Sequence, residues 1–263
     1  MTTIATDRKA LVTGGGAGFG LAIARHLLDN GAQVAIADID ERRLEAARAD
    51  LGDRTLAIRV DVRDEASVRA AVTQAADSFG GLDTVVNCAG VIHIKPLEDV
   101  ASADWDQTLG VNLKGAFLVS QASAPLLRAS GRGRIVSISS DAGKRGYAWI
   151  QAYCASKFGL IGLTESLAVE LATDQTTVNC VCPVGCPTTE MGKEILDWKV
   201  EQTGKPPSEI LAIAAGTNPL GRNATEDDVA EAVMFFISEE ASFLTGTALD
   251  VDGGAHLGFL PGA

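Results

Sequence analysis

Short apolar runs alternate along the chain with longer segments that carry apolar residues at helical spacing. Runs of this length, bounded by turn residues, are typical of buried strands. The predicted strands cover residues 9–13, 33–37, 56–60, 84–86, 134–139, 178–182 and 248–251. The predicted helices cover residues 21–30, 41–51, 64–79, 102–127, 152–171 and 226–238. This alternation predicts an α/β protein with a doubly wound, mostly parallel sheet of about seven strands flanked by helices.

One long segment departs from the alternation. Residues 190–207 begin with helical spacing and then become polar and broken around Gly204 and Pro206. A segment of this kind, placed after the core strands, is typical of a lid, which we expect to cover residues 189–218. The 263 residues contain no Pro- or Ser-rich linker, so a single domain over residues 1–263 is expected.

Charge and cysteine content narrow the classes of function. The formal net charge is −12, which argues against binding nucleic acid or an anionic membrane surface. No apolar run is long enough to span a membrane, and residues 1–9 lack the apolar stretch of a signal peptide, so a cytoplasmic location is expected. Cys180 and Cys182 form a Cys-x-Cys pair without a second Cys/His cluster, so we expect reduced thiols and no metal site.

The first predicted strand runs into a glycine-rich turn, residues 14–20, and then into a helix. Gly14, Gly18 and Gly20 would let the backbone approach a pyrophosphate, and the helix N-terminus offers free N–H groups. Glycines also form ordinary tight turns, so the position after the first strand is what favours a nucleotide site.

Asp38 ends the second predicted strand, where a carboxylate can accept hydrogen bonds from an adenosine ribose and would repel a 2′-phosphate. No Arg or Lys occurs in residues 14–20, and Ile39 follows Asp38. The sequence therefore favours NAD over NADP. The alternative role for Asp38 is the N-cap of the helix at residues 41–51, and the two roles are compatible.

Two further strand ends carry candidate nucleotide contacts. Asp61 and Val62 follow the third strand, where the carboxylate could contact the adenine amino group. Asn87, Ala89 and Gly90 follow the fourth strand, and small residues there would let the backbone pass close to a ribose. An ordinary turn explains the second group equally well.

Tyr153 and Lys157 lie four residues apart in a predicted helix, so their side chains share a face. A cation about 4 Å from a phenol favours the phenolate, and one lysine is expected to lower the tyrosine pKa by about two to three units. Tyr153 is therefore a candidate general acid and base. Ser140 follows the fifth strand, where its hydroxyl could hydrogen-bond a substrate oxygen. Pairs with this spacing are also common on helix surfaces.

Taken together, these motifs resemble the short-chain dehydrogenase/reductase family over nearly the whole chain. The matching elements, in chain order, are Thr13-Gly14-x-x-x-Gly18-x-Gly20, Asp61-Val62, Asn87-x-Ala89-Gly90, Asn112, Ser140, Tyr153-x-x-x-Lys157 and Asn179-x-x-x-Pro183. The resemblance implies a Rossmann-type fold, a nicotinamide cofactor and a homo-oligomer, usually a tetramer.

The resemblance also implies roles for single residues. Tyr153 would be the acid and base, and Ser140 would position the substrate oxygen. Lys157 would lower the tyrosine pKa and hold the nicotinamide ribose. Asn112, which on a helix interior is otherwise a solvated residue or a local kink, would anchor a water in a proton relay. Thr188 would contact the carboxamide. The full set of expected cofactor contacts is Gly14, Gly18, Phe19, Gly20, Asp38, Ile39, Asp61, Val62, Asn87, Ala89, Gly90, Tyr153, Lys157, Pro183, Val184, Cys186 and Thr188.

Three positions depart from the family pattern. Pro183-Val184-Gly185 replaces the usual Pro-Gly after the sixth strand, so the backbone beside the nicotinamide is expected to differ. Cys88 stands where an Asn is usual. Cys186 stands where a branched apolar residue is common, which would place a thiol near the cofactor. The other interpretation of Cys186, a small apolar filler, is favoured over a redox role.

The expected activity is NAD(H)-dependent interconversion of a secondary alcohol and its ketone, with a polyol, sugar, diol or hydroxy acid as substrate. Candidate pocket residues, each equally consistent with a surface position, are His93, Asp141, Lys144, Trp149 and Glu190. Their polarity suits a hydroxylated or anionic molecule. The alternatives are a 3-oxoacyl-thioester reductase, which Asp38 disfavours, and an epimerase or dehydratase, which the short tail after Gly254 disfavours. A nucleotide-binding protein without catalysis is the remaining alternative.

Overall fold

In the computed structural model, which describes residues 7–257, seven parallel strands form one sheet in the order β3-β2-β1-β4-β5-β6-β7. The strands are β1 (Lys9–Thr13), β2 (Gln33–Asp38), β3 (Thr55–Arg59), β4 (Thr84–Asn87), β5 (Arg134–Ile138), β6 (Thr177–Pro183) and β7 (Ala248–Val251). The predicted doubly wound sheet is confirmed. The prediction of no signal peptide concerns residues that lie mostly outside the described range, as does the end of the tail after Gly254.

Nine α-helices connect the described strands. They are α1 (Gly18–Asp29), α2 (Glu41–Leu51), α3 (Glu65–Phe79), α4 (Ser102–Leu109), α5 (Ala116–Ser130), α6 (Gln151–Leu171), α7 (Glu190–Thr203), α8 (Pro207–Ala215) and α9 (Glu226–Ile237). Across residues 7–257, no helix combines the length and the apolar character that crossing a bilayer would need.

The helices cover both faces of the sheet because successive strand residues point to opposite sides. In β1, Ala10 and Val12 belong to the apolar cluster that α1 and α9 cover. Leu11, between them, belongs to the opposite cluster, which includes residues of α3, α5 and α6. Burial on both faces explains why the strands appear in the sequence as short continuous apolar runs.

The strand order reverses between β1 and β4, because the chain winds outward to β3 and then returns to the other side of β1. In open parallel sheets, ligands bind beyond the carboxyl ends of the strands at such a point. Ala10 to Thr13 of β1 lie in register with Thr84 to Asn87 of β4. The glycine-rich turn after β1 and the loop after β4 are therefore neighbours.

One helix prediction needs correction. The predicted helix 102–127 is interrupted by a π-helical turn at Gly110–Gly115, so α4 and α5 are separate helices. The predicted break around Gly204 and Pro206 is present, because α7 ends at Thr203 and α8 begins at Pro207. A proline is tolerated in the first turn of a helix, where its missing N–H would have no partner in any case.

Candidate active site

Helix α6 brings Tyr153 and Lys157 to the carboxyl edge of β5. The Lys157 Nζ lies 5.4 Å from the centre of the Tyr153 ring. The same ammonium donates a hydrogen bond to the Ile138 carbonyl at 2.7 Å, at the end of β5. Lys157 is only 4% exposed, and burial lowers its pKa to about 8.

The expected lowering of the tyrosine pKa is wrong for this arrangement. Burial is the largest influence on Tyr153, and it raises the pKa of the phenol above its ordinary value. The Ser140 hydroxyl hydrogen-bonds Tyr153 and lowers that pKa, while the negative charge of Asp141 raises it. Lys157, whose ammonium donates to the Ile138 carbonyl, is not among the main influences on the Tyr153 pKa.

Ser140 is part of a polar group on the loop after β5. Its hydroxyl donates to Asp141 Oδ1 at 3.0 Å and accepts from the Ala142 N–H at 3.1 Å. The other oxygen of Asp141 accepts from the Tyr147 hydroxyl and, at 3.2 Å, from Arg145. Asp141, predicted as a pocket residue, therefore contacts the predicted catalytic serine directly.

Asn112 lies in the π-helical turn and is 1% exposed, so it is neither solvated nor free. Its Oδ1 accepts from the Val91 N–H at 2.8 Å, and its Nδ2 donates to the Val91 carbonyl at 2.9 Å. The Nδ2 also donates to the Ser156 hydroxyl at 3.0 Å on α6. Asn112 thus joins the loop after β4 to the helix that carries Tyr153.

The glycine-rich turn forms a close cradle at the edge of β1. A Cβ on Gly14 would lie 2.9 Å from the Ala89 backbone, and one on Gly20 would lie 2.1 Å from the Gly14 carbonyl. Gly18 has a φ of +51°. Helix α1 begins here without a side-chain cap, so its first N–H groups face the turn without a side-chain acceptor. Phe19 packs on the core from the same turn.

Asp38 lies against this cradle and is 8% exposed. Its Oδ2 accepts from the Gly16 N–H at 3.2 Å and its Oδ1 from the Asp40 N–H at 3.1 Å. The alternative role as helix cap is wrong, because Asp40 accepts from the first N–H groups of α2. Ile39 is half exposed beside it.

Two other predicted nucleotide contacts have their side chains engaged within the protein. Asp61 accepts hydrogen bonds from the Arg63 guanidinium, at 2.7 Å from Nη2, and these bonds hold the pKa of Asp61 below its ordinary value. The Asn87 amide donates to Ser120 at 3.1 Å and approaches Ser137 at 3.4 Å. The Asn87 Oδ1 is buried and has no hydrogen-bond partner among the described residues, so the side chain keeps one free acceptor.

The small residues after β4 lie between the two halves of the site. A Cβ on Gly90 would lie 3.6 Å from Asn112 Oδ1 and 3.8 Å from Lys157 Nζ. Cys88 and Ala89 approach the Thr13 hydroxyl, which accepts from both N–H groups. Burial raises the pKa of the Cys88 thiol to about 12, so the thiol stays protonated.

The segment after β6 covers the glycine-rich turn. Pro183 ends β6, and the Val184 N–H donates to Val251, which extends the strand pairing by one residue. The Thr188 hydroxyl donates to Glu226 at 2.6 Å, and Cys186 is buried next to both. Burial raises the pKa of Cys186, which is consistent with a small buried filler.

Two predicted pocket residues form ion pairs with distant elements. Lys144 forms an ion pair with Asp250 at 2.8 Å, so it is held against β7. Glu190, the first residue of α7, forms an ion pair with Arg43 of α2 at 2.6 Å, on the nucleotide side of the site. Both residues were predicted to border the pocket because they lie close in the chain to other candidate site residues. Closeness in the chain does not reveal a partner on a distant element.

The remaining pocket candidates, His93 and Trp149, contact residues of α4 and α7. The His93 Nδ1 contacts the Thr108 hydroxyl at 3.0 Å. Trp149 lies two residues before α6 and its ring packs on Trp198 of α7, with ring centres 5.1 Å apart. Three residues at the site were not predicted, namely Arg43, Trp198 and Glu226. Only long-range contacts identify them, and no spacing in the sequence does so.

Comparison with known proteins gives a consistent result. A family model described as "Enoyl-(Acyl carrier protein) reductase" matches residues 14–256. The chain is 38% identical to "2-(S)-hydroxypropyl-CoM dehydrogenase 3" of Xanthobacter autotrophicus, over 92% of this chain and 94% of that protein. It is 38% identical to "D-threitol dehydrogenase" of Mycolicibacterium smegmatis, over 94% of this chain and 92% of that protein.

Solved structures show the same likeness. The structure of levodione reductase superposes with a TM-score of 0.90 at 31% identity, over 97% of this chain and 99% of that one. The structure of a variant of actinorhodin polyketide ketoreductase with NADPH also has a TM-score of 0.90, at 32% identity, over 95% of this chain and 97% of that one.

Proposed function

The chain belongs to the short-chain dehydrogenase/reductase family, and we propose that it is an NAD(H)-dependent enzyme that interconverts a secondary alcohol and its ketone. The observation that carries this proposal is the convergence of Ser140, Tyr153 and Lys157 at one strand end. Relatives named as dehydrogenases of a hydroxypropyl group and of threitol support a CH–OH substrate. A polyol, sugar, diol or hydroxy acid is the proposed range.

In the oxidative direction, Tyr153 accepts the hydroxyl proton of the substrate, and Ser140 holds the substrate oxygen by a hydrogen bond. Lys157, held by the Ile138 carbonyl, places a positive charge beneath the phenol ring. Asn112 fixes the loop after β4 against α6, which keeps the distance between the two halves of the site constant. In this proposal Asn112 also anchors the water of the proton relay.

The dinucleotide would lie across the glycine-rich cradle, which fits a pyrophosphate because any side chain at Gly14 or Gly20 would collide with backbone. When bound, it supplies the acceptor and donor of hydride. Asp38, buried beside Gly16, would accept the ribose hydroxyls and disfavour a 2′-phosphate. We therefore propose NAD as the cofactor, although one structural relative carries NADPH.

Residues 189–218, which include α7 and α8, would form a lid over the substrate. The proposed enzyme acts in the cytoplasm on a small molecule, as a homo-oligomer with tetramer as the expected state. It binds no nucleic acid and requires no metal.

The test is nucleotide reduction followed by absorbance at 340 nm, with NAD and NADP, against a panel of secondary alcohols. Tyr153→Phe is expected to lower turnover at least 10²-fold, the usual scale for a lost acid and base, while NADH binding is retained. Unchanged turnover would show that Tyr153 is not the acid and base. Activity only with NADPH and 3-oxoacyl thioesters would replace the proposal by the acyl-reductase alternative.

A further inference from the structure

We infer that Trp149 and Trp198 form an aromatic clamp that selects neutral, ring-shaped secondary alcohols over open-chain ones. This inference rests on the proposed oxidoreductase function and names the substrate class of the same site. The two side chains come from different elements of the fold. Trp149 lies on the loop that leads into α6, and Trp198 lies on the lid helix α7.

The clamp has a specific geometry. The ring centres are 5.1 Å apart, within the preferred distance range for aromatic pairs, and the planes are tilted by 56°. Trp149 remains 46% exposed in spite of this contact. Nearly half of the Trp149 surface is therefore open to a ligand, four residues before the phenol that is proposed to exchange the substrate proton.

The backbone at Trp149 is strained in a way that supports a role at the site. Its φ is +68°, a left-handed conformation that is an outlier for a bulky aromatic residue. The Trp149 carbonyl accepts from the Lys95 N–H at 2.8 Å, which fixes the conformation from the loop after β4. Strain of this kind is stored at ligand sites, where the surrounding structure holds the residue in place.

The charges around the clamp favour a neutral ligand. The cationic Lys and Arg side chains of residues 91–100 and 141–149 are each matched by a carboxylate, in the pairs Lys95–Asp104 at 2.7 Å, Arg145–Asp141 at 3.2 Å and Lys144–Asp250 at 2.8 Å. The Asp141 carboxylate also contacts Ser140. Because these three cations are already paired, neither segment offers a free cation to a substrate carboxylate, so the hydroxy acids of the proposed range are disfavoured.

A ring suits the clamp better than an open chain for two reasons. A saturated ring presents one broad apolar face to an indole, and burying that face is favourable. An open chain of equal carbon number must also lose its rotational freedom on binding. We therefore expect kcat/KM for cyclohexanol to exceed that for hexan-2-ol at least tenfold, or about 1.4 kcal/mol. 4-Hydroxycyclohexanecarboxylate should be at least tenfold poorer than cyclohexanol.

Steady-state kinetics of the full chain with NAD test the clamp. Trp198→Ala is expected to raise KM for cyclohexanol about tenfold while kcat/KM for hexan-2-ol stays within about twofold, so the ring preference is lost. Trp198→Phe should retain the preference. Phe243→Ala, which removes a fully exposed aromatic side chain elsewhere, is the matched control and should change kcat/KM for neither substrate. A ring preference absent from the wild type, or retained in Trp198→Ala, would overturn the inference.

A binding measurement separates failure of the clamp from failure of the proposed function. Cyclohexanone is titrated calorimetrically into Tyr153→Phe loaded with NADH, and into the same variant carrying Trp198→Ala. At least tenfold weaker binding of cyclohexanone to the second protein supports the clamp, whether or not the wild type turns over any alcohol. Absence of turnover by the wild type would remove only the proposed function. Equal binding in the two proteins would overturn the clamp, whatever the turnover.

Discussion

Arg43 of α2 and Glu190 of α7 form an ion pair with a nitrogen–oxygen distance of 2.6 Å. The pair joins the base of the proposed lid to the helix that follows Asp38. Arg43 also lies against Gly16. A Cβ added at Gly16 would lie 2.8 Å from the Arg43 Cβ. The lid and the adenosine side of the proposed nucleotide site are therefore connected by one contact between half-exposed side chains.

Glu190→Gln should weaken dinucleotide binding by freeing the base of α7. An exposed ion pair contributes up to about 1 kcal/mol, so we expect KM for NAD to rise about two- to fivefold with little change in kcat. Glu65→Gln, which breaks the Glu65–Arg69 pair on α3, is the matched control. Equal effects of both substitutions on KM would show that the Arg43–Glu190 contact is only a surface ion pair.

Asp38→Asn should relax the preference for NAD. The substitution keeps the shape of the side chain and removes the charge that would repel a 2′-phosphate, so the ratio of kcat/KM for NAD to that for NADP should fall at least tenfold. Asp40→Asn is the control, because asparagine is an equally good N-cap and the charge lost is two residues away. A ratio unchanged by Asp38→Asn would remove the argument for NAD.

Asp141→Asn should shift the pH dependence of alcohol oxidation toward lower pH. The charge of Asp141 raises the pKa of Tyr153, and oxidation requires the phenolate, so removing that charge makes the base available at lower pH. The measurement is kcat/KM against pH, with Tyr147→Phe as a control that removes a partner of Asp141 and keeps its charge. A shift to higher pH would contradict the assignment.

The ionisation of Lys157 should make the free energy of unfolding depend on pH. Burial lowers its pKa from 10.5 to about 8, so the unfolded chain binds more protons than the folded protein between about pH 8 and pH 10.5. The free energy of unfolding of the wild type therefore rises by up to about 3 kcal/mol as the pH rises through that window. Below pH 8, the buried charge of Lys157 destabilises the folded protein by this whole amount.

The check is urea unfolding of wild type and Lys157→Met at several pH values. The free energy of unfolding of the variant, relative to wild type, should fall as pH rises from 7.5 to 10.5. Lys199→Met, at an exposed position on α7, is the control and should give a constant difference. Parallel curves for Lys157→Met would mean that this ammonium is not desolvated.

The sequence was most informative where local chemistry determines structure. Apolar runs predicted all seven strands to within one residue at either end, and the strand-end positions of Asp38 and Ser140 followed from them. Tyr153 and Lys157 were proposed as a pair from their helical spacing together with the motifs in the rest of the chain, and they do lie on one helix, α6. These features depend on residues close together in the chain, so a single sequence contains them.

What the sequence did not predict depends on distant partners. The Tyr153 pKa was predicted with the wrong sign, because burial of the phenol and the Ile138 carbonyl bound to Lys157 cannot be read from spacing. The ion-pair partners of Glu190 on α2 and of Lys144 on β7 could not be predicted, because they lie far away in the chain. The π-helical turn escaped prediction because its apolar pattern is compatible with a continuous helix.

The position of Asn112 in the π-helical turn Gly110–Gly115 depends on the number of residues in the turn as well as on their types. A π-helical turn accommodates one residue more than an α-helix would, and each residue of an α-helix rotates the chain by about 100°. Deleting one residue of this turn other than Asn112 would allow an uninterrupted helix and would turn Asn112 away from Val91 and Ser156. The site therefore tolerates substitution on the outer face of this segment more readily than a change in its length.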